Sequence, residues 1–417
     1  MYNFVAKAKQ IEKKKEIKLL LPSSKSISNR LLIIRYLSER KDIIEDLSDS
    51  GDTLLLDKFI SEVEKGENKK FCCKNAGTTT RFLIALLCLA KGKWIVEASE
   101  RMNKRPVKDL LLILKQLGAN IEYNTIEHPF PIMIEGGPLE SKNSIRIEKQ
   151  LTSQIISALL LISPYIKGGL SIRLAKQQPS FSYIEQTIAL ANTFGAKISI
   201  KDKIILSQES NYQFKKTRVE KDYSSLCFLL SFVSVWQLEN VLVQDLYPSD
   251  LQGDYKAIEM FKELGVEVVF LEKYAKLSYN PEFFSENRDL EFDLTNTPDV
   301  FLPLAVSMYC KGVRGKILGL SSQKVKESNR LENIARELNK MGERCSIDKD
   351  SFIIEKGKVS KEISPCFDSY NDHRIVMALI VCSAMCKEIY FDNIVCVEKS
   401  WRNFWKDVVE LVEVRSA

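Results

Sequence analysis

A helix-and-strand unit recurs along the chain, and this internal repeat constrains the fold more than any other feature. In four places an amphipathic helical pattern ends at a glycine and runs directly into a strand pattern. Glycine is expected there because the left-handed conformation that ends a helix costs it no Cβ clash. The predicted helix and strand pairs are 109–118 with 120–123, 184–195 with 197–200, 257–265 with 267–270, and 331–342 with 344–347. A shorter copy of the helix is predicted at 53–66.

A second kind of helix, apolar nearly all round, alternates with the first. Helices of this composition are buried rather than placed on a surface. They are predicted at 31–37, 82–90, 155–165, 226–236, 301–310 and 375–386. The chain therefore contains six copies of one α/β unit, mostly a little over 70 residues long, which is too long for a solenoid repeat. In a chain of 417 residues, this predicts two globular domains with three copies each.

Composition limits the possible function classes. The formal net charge of +6 suits an anionic ligand but is too small to require nucleic acid. Only His128 and His373 are present, so a His-rich metal site is excluded and acid–base chemistry falls to Lys, Asp and Glu. No apolar run reaches the roughly 20 residues of a membrane span, and the N-terminus lacks the apolar core of a secretory signal. Ten cysteines without a regular framework indicate free thiols and a cytoplasmic protein.

The segments that precede the six apolar helices are polar and small, and several carry cations. Helix capping explains their Ser, Thr, Asn and Asp residues. It does not explain Lys25, Arg30, Arg81 or Arg374, because a cation is unfavourable beside the positive end of a helix dipole. An anion between these cations and the free backbone N–H groups would resolve the conflict. If the buried helices run parallel, the sequence predicts a pocket for a small, multiply anionic, phosphorylated substrate.

Three further segments are rich in cations. Each taken alone is explained by a solvated charge run, but together with the helix N-termini they become candidate clamps for phosphate and carboxylate groups. They are 101–106, 324–330 and 399–402. On the second segment Lys326 and Arg330 share a helix face, with Glu327 beside them. The chain has no P-loop, no dinucleotide-binding Gly-x-Gly-x-x-Gly, no Gly-x-Ser-x-Gly and no His-Glu-x-x-His motif.

Five motifs, in order along the chain, resemble the 5-enolpyruvylshikimate-3-phosphate synthase family. They are Leu-Pro-Ser-Ser-Lys-Ser-Ile-Ser-Asn-Arg at 21–30, Asn-Ala-Gly-Thr at 75–78 with Arg81, Lys-Arg-Pro at 104–106, Val-Lys-Glu at 325–327 with Arg330, and Tyr-Asn-Asp-His-Arg at 370–374. The resemblance implies an α/β fold of two domains, an inside-out α/β barrel in which each domain has three βαβαββ units around buried parallel helices. It implies one domain at 23–221, a second at 1–22 plus 222–417, and an active-site cleft between them.

The resemblance also implies a reaction in the shikimate pathway, which leads to chorismate and the aromatic amino acids. The enolpyruvyl group of phosphoenolpyruvate is transferred to the 5-hydroxyl of shikimate 3-phosphate, and phosphate is released. No cofactor or metal is implied, and the partners are these two small molecules, with no nucleic acid or membrane and a monomeric state.

The family's site residues can be carried over position by position. The implied catalytic residues are Lys25, Asp299 and Glu327. The implied ligands of shikimate 3-phosphate are Lys25, Ser26, Arg30, Thr152, Ser153, Gln154, Ser180, Tyr183, Asp299, Ser322 and Lys326. The implied ligands of phosphoenolpyruvate are Lys25, Asn75, Gly77, Arg105, Gln154, Arg330, Arg374 and Lys399.

Some positions depart from the family pattern. Thr152 stands in place of Ser, and Ser322 in place of Asn, which puts one substrate hydrogen bond in doubt. Other changes lie around Gly77, where glyphosate competes with phosphoenolpyruvate in the family. Since Gly77 itself has no side chain and leaves room for the inhibitor, we expect a glyphosate-sensitive enzyme.

Two alternatives are weighed against this interpretation. UDP-N-acetylglucosamine enolpyruvyl transferase shares the fold and the donor, but it typically carries a Lys-Asn pair where this chain has Lys25 and Ser26, and a loop cysteine near the position of Arg105. An RNA-binding protein similar to RNA 3′-phosphate cyclase would instead show an exposed basic stripe and salt-dependent RNA affinity. The cations at helix N-termini argue against it.

Overall fold

The computed structural model describes residues 2–12, 14–38, 42–66 and 69–416. The chain divides into two compact units. We call Met1–Ser23 with Glu220–Ala417 the terminal unit, and Ser24–Val219 the inserted unit. The inserted unit enters the chain between the strand Ile17–Leu19 and the helix Tyr223–Trp236 of the terminal unit.

Six helices with almost wholly buried side chains form at the predicted apolar segments. In the helix Gly77–Leu89, for example, the residues from Phe82 to Leu87 are at most 1% exposed. The six are Lys25–Leu37, Gly77–Leu89 and Ser153–Ile162 in the inserted unit, and Tyr223–Trp236, Phe301–Lys311 and His373–Leu379 in the terminal unit. Two of them end earlier than predicted. The predicted helix 155–165 is α-helical only to Ile162 and continues as the 3₁₀ turn Ser163–Tyr165, and the last helix is also shorter. The segment 375–386 is α-helical only to Leu379 and continues as the 3₁₀ helix Ile380–Met385, in which the Ser383 hydroxyl donates to the Ile380 carbonyl three residues back.

A second helix follows each buried helix and exposes one face. These helices are Gly51–Lys65, Lys108–Gln116, Phe181–Thr193, Ala257–Lys262, Arg330–Asn339 and Phe404–Asp407. The predicted glycine ends are confirmed, since Gly118 and Gly195 have φ values of +91° and +99°. The remaining helical turns are Glu100–Asn103, Ser163–Tyr165, Gly253–Lys256, Pro281–Phe283, Pro298–Val300, Ser321–Val325 and Val395–Lys399.

Within the described residues, five four-stranded sheets share one topology, which is the structural form of the repeat. In each sheet the first two strands are parallel, and the third and fourth are antiparallel to their neighbours. In spatial order the sheets of the inserted unit are Lys70–Cys72, Gly92–Glu97, Ile132–Gly136, Asn120–Tyr123 and Ile145–Ile147, Leu170–Leu174, Ile204–Gln208, Lys197–Lys201. Two sheets of the terminal unit are Ile17–Leu19, Val241–Gln244, Tyr274–Tyr279, Val266–Phe270 and Leu290–Asp293, Gly315–Leu318, Ser351–Ile354, Cys345–Asp348.

The N-terminal strand completes the fifth sheet. Its strands are Cys366–Phe367, Ile389–Phe391, Phe4–Ala8 and Val412–Ser416 in spatial order. Phe4–Ala8 therefore occupies the place that the last strand of the repeat fills elsewhere.

The sixth copy is reduced to two short parallel strands within the described residues. Ile44–Glu45 pairs with Thr217–Arg218. A further parallel pair, Leu139–Glu140 with Ile166–Lys167, links the other two copies of the inserted unit. Among the described helices, none combines the length and apolar character needed to cross a bilayer.

Candidate active site

The helix Lys25–Leu37 of the inserted unit begins with a cation. The Lys25 ammonium lies 3.4 Å from a carboxylate oxygen of Asp52, and both side chains are largely buried. The N-cap residue Ser24 makes no side-chain capping hydrogen bond, and its hydroxyl lies 3.2 Å from that of Ser26. Capping therefore does not explain these polar residues, and the helix N-terminus is compatible with an anionic ligand.

One turn later, Arg30 is 2% exposed and is held by neutral oxygens. Its guanidinium donates to the Thr187 hydroxyl at 2.7 Å, to the Ser157 hydroxyl at 3.2 Å, and to the carbonyls of Ser26 and Tyr183 at 2.8 and 3.0 Å. Burial lowers the pKa of Arg30 to about 10, so it remains charged at neutral pH. A buried cation of this kind favours a nearby anion.

The guanidinium groups of two arginines pack beside Gly77, which is the first residue of the next buried helix. Arg105 donates to the Asn75 carbonyl at 3.0 Å, and Arg81 donates to the Gly77 carbonyl at 3.0 Å. A Cβ atom on Gly77 would lie 2.7 Å from an Arg105 nitrogen and 2.8 Å from an Arg81 nitrogen. A side chain at position 77 would therefore push the ends of these two guanidinium groups away from their present positions.

The third helix N-terminus of this unit supplies neutral polar groups. Thr152 is the N-cap residue of Ser153–Ile162, but its side chain makes no capping hydrogen bond. The Gln154 amide accepts from Arg81 at 2.6 Å and donates to the Thr78 hydroxyl at 3.0 Å. Gln154 therefore connects the second and third helix N-termini.

Ser180 is held in a strained backbone conformation next to this group. Its φ of +58° and ψ of +37° lie in the left-handed region, which a non-glycine residue adopts at a cost. The Ser180 carbonyl accepts from the Tyr183 backbone N–H at 3.1 Å, and the Tyr183 carbonyl accepts from Arg30. The strained turn thus places Ser180 and Tyr183 relative to Arg30.

In the terminal unit, three cations surround Asp299. Its carboxylate lies 3.5 Å from Lys326, 3.5 Å from Arg330 and 3.3 Å from Arg374. The side chain is 13% exposed, so solvent screens these pairs only partly. The three cations favour the carboxylate over the carboxylic acid.

Glu327 is held by two cations. Its two carboxylate oxygens accept from Arg330 and from Lys399, each at 2.9 Å. Arg330 therefore contacts both Glu327 and Asp299 and joins the two acids in one network. The side chains of Glu327 and Lys399 are 14% and 19% exposed.

A fully buried acid, Asp372, anchors this network. Arg330 donates to its two oxygens at 2.8 and 3.1 Å, and the Ser328 hydroxyl donates at 3.0 Å. Asp372 also caps the helix His373–Leu379 by accepting from the Arg374 backbone N–H at 3.1 Å. Although burial alone would lower the pKa of Arg330, the carboxylates of Asp372, Glu327 and Asp299 raise it.

Two other members of the predicted site lie on the same stretch of chain. Burial lowers the pKa of Lys326, and so do Arg330 and Arg374, while Asp299 and Glu327 act in the opposite direction. The buried Ser322 hydroxyl has no hydrogen-bond partner among the described residues. Its neighbour Gln323 donates to the Pro298 carbonyl at 2.6 Å, directly before Asp299.

A further acid, Asp254, is 3% exposed and accepts from the Ser224 hydroxyl. Burial, with Asp299 and Asp222 nearby, raises the pKa of Asp254 to about 7 against the opposing effects of Ser224 and Arg374. The terminal unit therefore contains both a carboxylate stabilised by cations, Asp299, and a buried carboxyl that holds its proton up to near-neutral pH.

The predicted site residues thus fall into two groups, one in each unit. The inserted unit contains Lys25, Ser26, Arg30, Asn75, Gly77, Arg105, Thr152, Ser153, Gln154, Ser180 and Tyr183. The terminal unit contains Asp299, Ser322, Lys326, Glu327, Arg330, Arg374 and Lys399. The sequence interpretation did not assign roles to Asp52, Ser157, Thr187 and Asp372, which hold these residues in place. Of these four residues, only Asp372 could have been found from the sequence, because it lies inside the motif at 370–374.

Comparisons with known proteins bear on the family and the fold of this chain. A family model described as EPSP synthase (3-phosphoshikimate 1-carboxyvinyltransferase) matches residues 55–408. A 3-phosphoshikimate 1-carboxyvinyltransferase of Bacteroides fragilis (strain YCH46) is 34% identical over 390 residues, which is 93% of each chain. Its counterpart in Buchnera aphidicola subsp. Cinara cedri is 30% identical over 94% of this chain and 93% of its own. A solved EPSP synthase structure from Acinetobacter baumannii covers 100% of both chains with a TM-score of 0.75 at 19% identity, which shows the same fold.

Proposed function

Because the chain belongs to the EPSP synthase (3-phosphoshikimate 1-carboxyvinyltransferase) family, we propose that Asp299 and Glu327 carry the proton transfers of its reaction, with Lys25 as the third catalytic residue. The enzyme transfers the enolpyruvyl group of phosphoenolpyruvate to the 5-hydroxyl of shikimate 3-phosphate and releases phosphate. It acts in the biosynthesis of chorismate and the aromatic amino acids. The predicted α/β enolpyruvyl transferase fold is confirmed.

Shikimate 3-phosphate is proposed to bind mainly to the inserted unit. Arg30 and Lys25 supply positive charge, and the hydroxyls and amides of the third helix N-terminus supply neutral hydrogen bonds to the ring. The full set is Lys25, Ser26, Arg30, Thr152, Ser153, Gln154, Ser180 and Tyr183, with Asp299, Ser322 and Lys326 from the terminal unit. The excess of cations over carboxylates around these helix N-termini supports binding of a phosphate there.

Phosphoenolpyruvate carries a phosphate and a carboxylate, and it requires cations from more than one direction. We assign it to Lys25, Asn75, Gly77, Arg105 and Gln154 of the inserted unit, and to Arg330, Arg374 and Lys399 of the terminal unit. The arginines offer planar pairs of N–H donors that match a carboxylate or a phosphate. Holding both substrates in place supplies proximity, and the cations stabilise the charge that develops during the reaction.

The proposal for the first proton transfer rests on one observation, which is that Asp299 lies among Lys326, Arg330 and Arg374. An acid kept as the carboxylate can accept the proton of the 5-hydroxyl. The hydroxyl oxygen then forms a bond to C2 of phosphoenolpyruvate, and the electrons of the C2–C3 double bond take up a proton at C3. The product of this step is a tetrahedral ketal that still carries the phosphate.

Glu327 is proposed to deliver the C3 proton. In the unliganded protein Arg330 and Lys399 favour its carboxylate form. Phosphoenolpyruvate would compete for these two cations, because both are among its proposed ligands. As their contacts with Glu327 weaken, the protonated form becomes more favourable and the side chain can act as an acid. Lys25 is proposed to assist by neutralising charge on the donor phosphate.

The ketal then breaks down in a second step, in which Glu327 acts as a base. Its carboxylate removes a proton from the new methyl group, the C2–C3 double bond re-forms, and the C2–O bond to phosphate breaks with its electron pair leaving on the phosphate. The proton held by Asp299 returns to solvent or to the departing phosphate. Each acid ends the cycle in its starting form.

We further infer that the enzyme works as a monomer in the cytoplasm. Free thiols support a reducing compartment, since no disulfide joins any of the ten cysteines, all of which lie among the described residues. Light scattering should give the mass of one chain. A stable dimer at micromolar concentration would contradict the monomeric assignment.

A phosphate-release assay tests the proposed function. The protein is mixed with phosphoenolpyruvate and shikimate 3-phosphate, and parallel reactions omit each substrate or replace the acceptor with UDP-N-acetylglucosamine. Release is expected only with both substrates and the shikimate acceptor. In Lys25→Met the rate should fall by at least about 100-fold, while Lys58→Met, an exposed lysine on another helix, should keep full activity. An unchanged rate in Lys25→Met would overturn the role of Lys25.

A further inference from the structure

A buried glutamine, Gln178, ties together two loops of the inserted unit. It lies between the strand Leu170–Leu174 and the helix Phe181–Thr193, and it is 0% exposed. Its side-chain oxygen accepts from the Leu151 backbone N–H at 2.8 Å. Its side-chain nitrogen donates to the carbonyls of Lys149 at 3.3 Å and Lys176 at 3.0 Å.

Both loops lead into segments that bear proposed ligands of shikimate 3-phosphate. Leu151 directly precedes Thr152, Ser153 and Gln154, and Gln178 is two residues before Ser180. The amide therefore fixes the distance between the helix N-terminus at Ser153 and the strained turn at Ser180. This inference rests on the proposed function, because it takes these residues as the binding site.

Buried glutamines at the corresponding place of the repeat also bond the backbone in the terminal unit. This recurrence argues that the hydrogen bonds of Gln178 are more than incidental packing. Gln252 accepts from the Tyr223 backbone N–H at 3.1 Å and donates to the Lys221 carbonyl at 2.8 Å. Gln323, 0% exposed, donates to the Pro298 carbonyl at 2.6 Å. Each glutamine follows the second strand of its repeat and bonds the backbone where the buried helix begins.

We propose that Gln178 is a positioning residue for shikimate 3-phosphate, which holds the Thr152–Gln154 and Ser180 segments at the spacing that the substrate requires. An amide is suited to this task because it offers an acceptor and two donors on one side chain. A buried polar group is costly unless it is hydrogen-bonded, and Gln178 meets that condition with three backbone contacts. It touches no substrate and acts through the two loops alone.

Two substitutions separate positioning from a general structural role. Gln178→Met keeps the length of the side chain and removes all three hydrogen bonds. Gln178→Glu keeps the acceptor for Leu151 and removes both donors. The matched control is Gln177→Met, one residue earlier, where the side chain is exposed. For each protein we would measure the Kd of shikimate 3-phosphate, the KM of phosphoenolpyruvate, the thermal unfolding midpoint, and hydrogen exchange of the peptide 148–153.

Loss of positioning should weaken shikimate 3-phosphate binding by about 10-fold to 100-fold in Gln178→Met, since small displacements of binding groups have effects of this size. Gln178→Glu should show a smaller loss, and exchange at 148–153 should rise in both variants. The KM of phosphoenolpyruvate should change less than the Kd of shikimate 3-phosphate, and Gln177→Met should match the unmodified protein.

Unchanged substrate affinity in Gln178→Met would overturn the proposal, and so would equal losses for both substrates. Failure of both Gln178 variants to fold would overturn it as well, because the residue would then serve stability rather than positioning. The unmodified protein is the separate control for the proposed function. If it released no phosphate with both substrates, the function itself would fail, whereas an active parent with an unaffected Gln178→Met variant would refute only the positioning role.

Discussion

Arg330 and Asp372 form a two-point ion pair that is almost completely buried. Their atoms meet at 2.8 and 3.1 Å, and the two side chains are 2% and 0% exposed. The Nη2 group of Arg330, which is one of the two donors to Asp372, also donates to Glu327, and Nη1 contacts Asp299, so one guanidinium connects three acids. Asp372 thereby fixes the cation that holds both proposed proton-transfer groups.

Replacement of this acid should damage both stability and catalysis. Asp372→Asn keeps the shape of the side chain but leaves Arg330 without its main counter-charge, and breaking a buried pair costs about 3–5 kcal/mol. We expect a fall of this order in the free energy of unfolding from urea titration, and a rise of at least about tenfold in the KM of phosphoenolpyruvate. Asp368→Asn is the control, since Asp368 is 44% exposed and pairs with Lys340 near the surface. Wild-type stability in Asp372→Asn would contradict the role assigned to the pair.

A methyl group on Gly77 should disturb phosphoenolpyruvate more than shikimate 3-phosphate. In Gly77→Ala the new Cβ would press on the ends of Arg105 and Arg81, which are flexible enough to move aside. We expect a folded protein with a KM for phosphoenolpyruvate raised at least about fivefold, because one displaced charged hydrogen bond has this effect. Gly137→Ala is a suitable control, since a Cβ there meets nothing within 4 Å. Equal kinetics in the two variants would refute the packing argument.

Glyphosate should inhibit the enzyme in competition with phosphoenolpyruvate. The inhibitor carries a phosphonate and a carboxylate, so it can use the same cations, and Gly77 leaves room beside Arg105. Initial rates at several phosphoenolpyruvate concentrations would measure the competition. An unchanged rate in millimolar glyphosate would show that the inhibitor does not fit this site.

Asp254 should make the protein less stable as the pH rises. Its pKa of about 7 in the folded protein is above the ordinary value of 3.8, so the folded state binds the proton more tightly than the unfolded state. The resulting stabilisation is complete below about pH 4 and is lost as the pH rises to about 7. In Asp254→Asn this loss disappears, and the variant should gain free energy of unfolding relative to the parent between pH 5 and pH 8.

Urea titrations at pH 5 and pH 8 measure this difference. Asp250→Asn is the matched control, because Asp250 is exposed in the same loop and its replacement should leave the pH dependence unchanged. An identical change with pH in the parent and in Asp254→Asn would show that Asp254 does not titrate in this range.

The sequence predicted the repeat well because each element carries its own local signal. The buried helices appear as apolar runs, and the amphipathic helices end at glycines with positive φ. The early end of the α-helix at Leu379 was missed, because 380–385 is as apolar as the turns before it and the change to a 3₁₀ helix depends on local hydrogen bonds such as that of Ser383. The reduction of the sixth copy to the pair Ile44–Glu45 and Thr217–Arg218 also has no local signal.

The site was predictable as a set of cations and acids but not as a set of pairs. Lys25 and Asp52 are 27 positions apart, and Arg330 and Asp372 are 42 apart. Such partners are brought together by the fold, so spacing along the chain carries no trace of them. Asp372 accepts a capping hydrogen bond from the Arg374 backbone N–H, as helix capping predicts for an Asp before a buried helix, but both of its oxygens also accept from Arg330.

The most direct test of the proton transfers is the reaction run in D₂O. Protonation at C3 by Glu327 forms a methyl group that gains one deuterium, and the loss of a hydron in the second step leaves deuterium in part of the product. Proton NMR should therefore show deuterium in the vinyl group of the product, and in Glu327→Gln both the reaction rate and this exchange should fall by about 100-fold to 10,000-fold. Glu332→Gln, on the exposed face of the helix Arg330–Asn339 that follows Glu327, should behave as the parent. A product without deuterium, or a Glu327→Gln variant that incorporates it at the parent rate, would contradict the account.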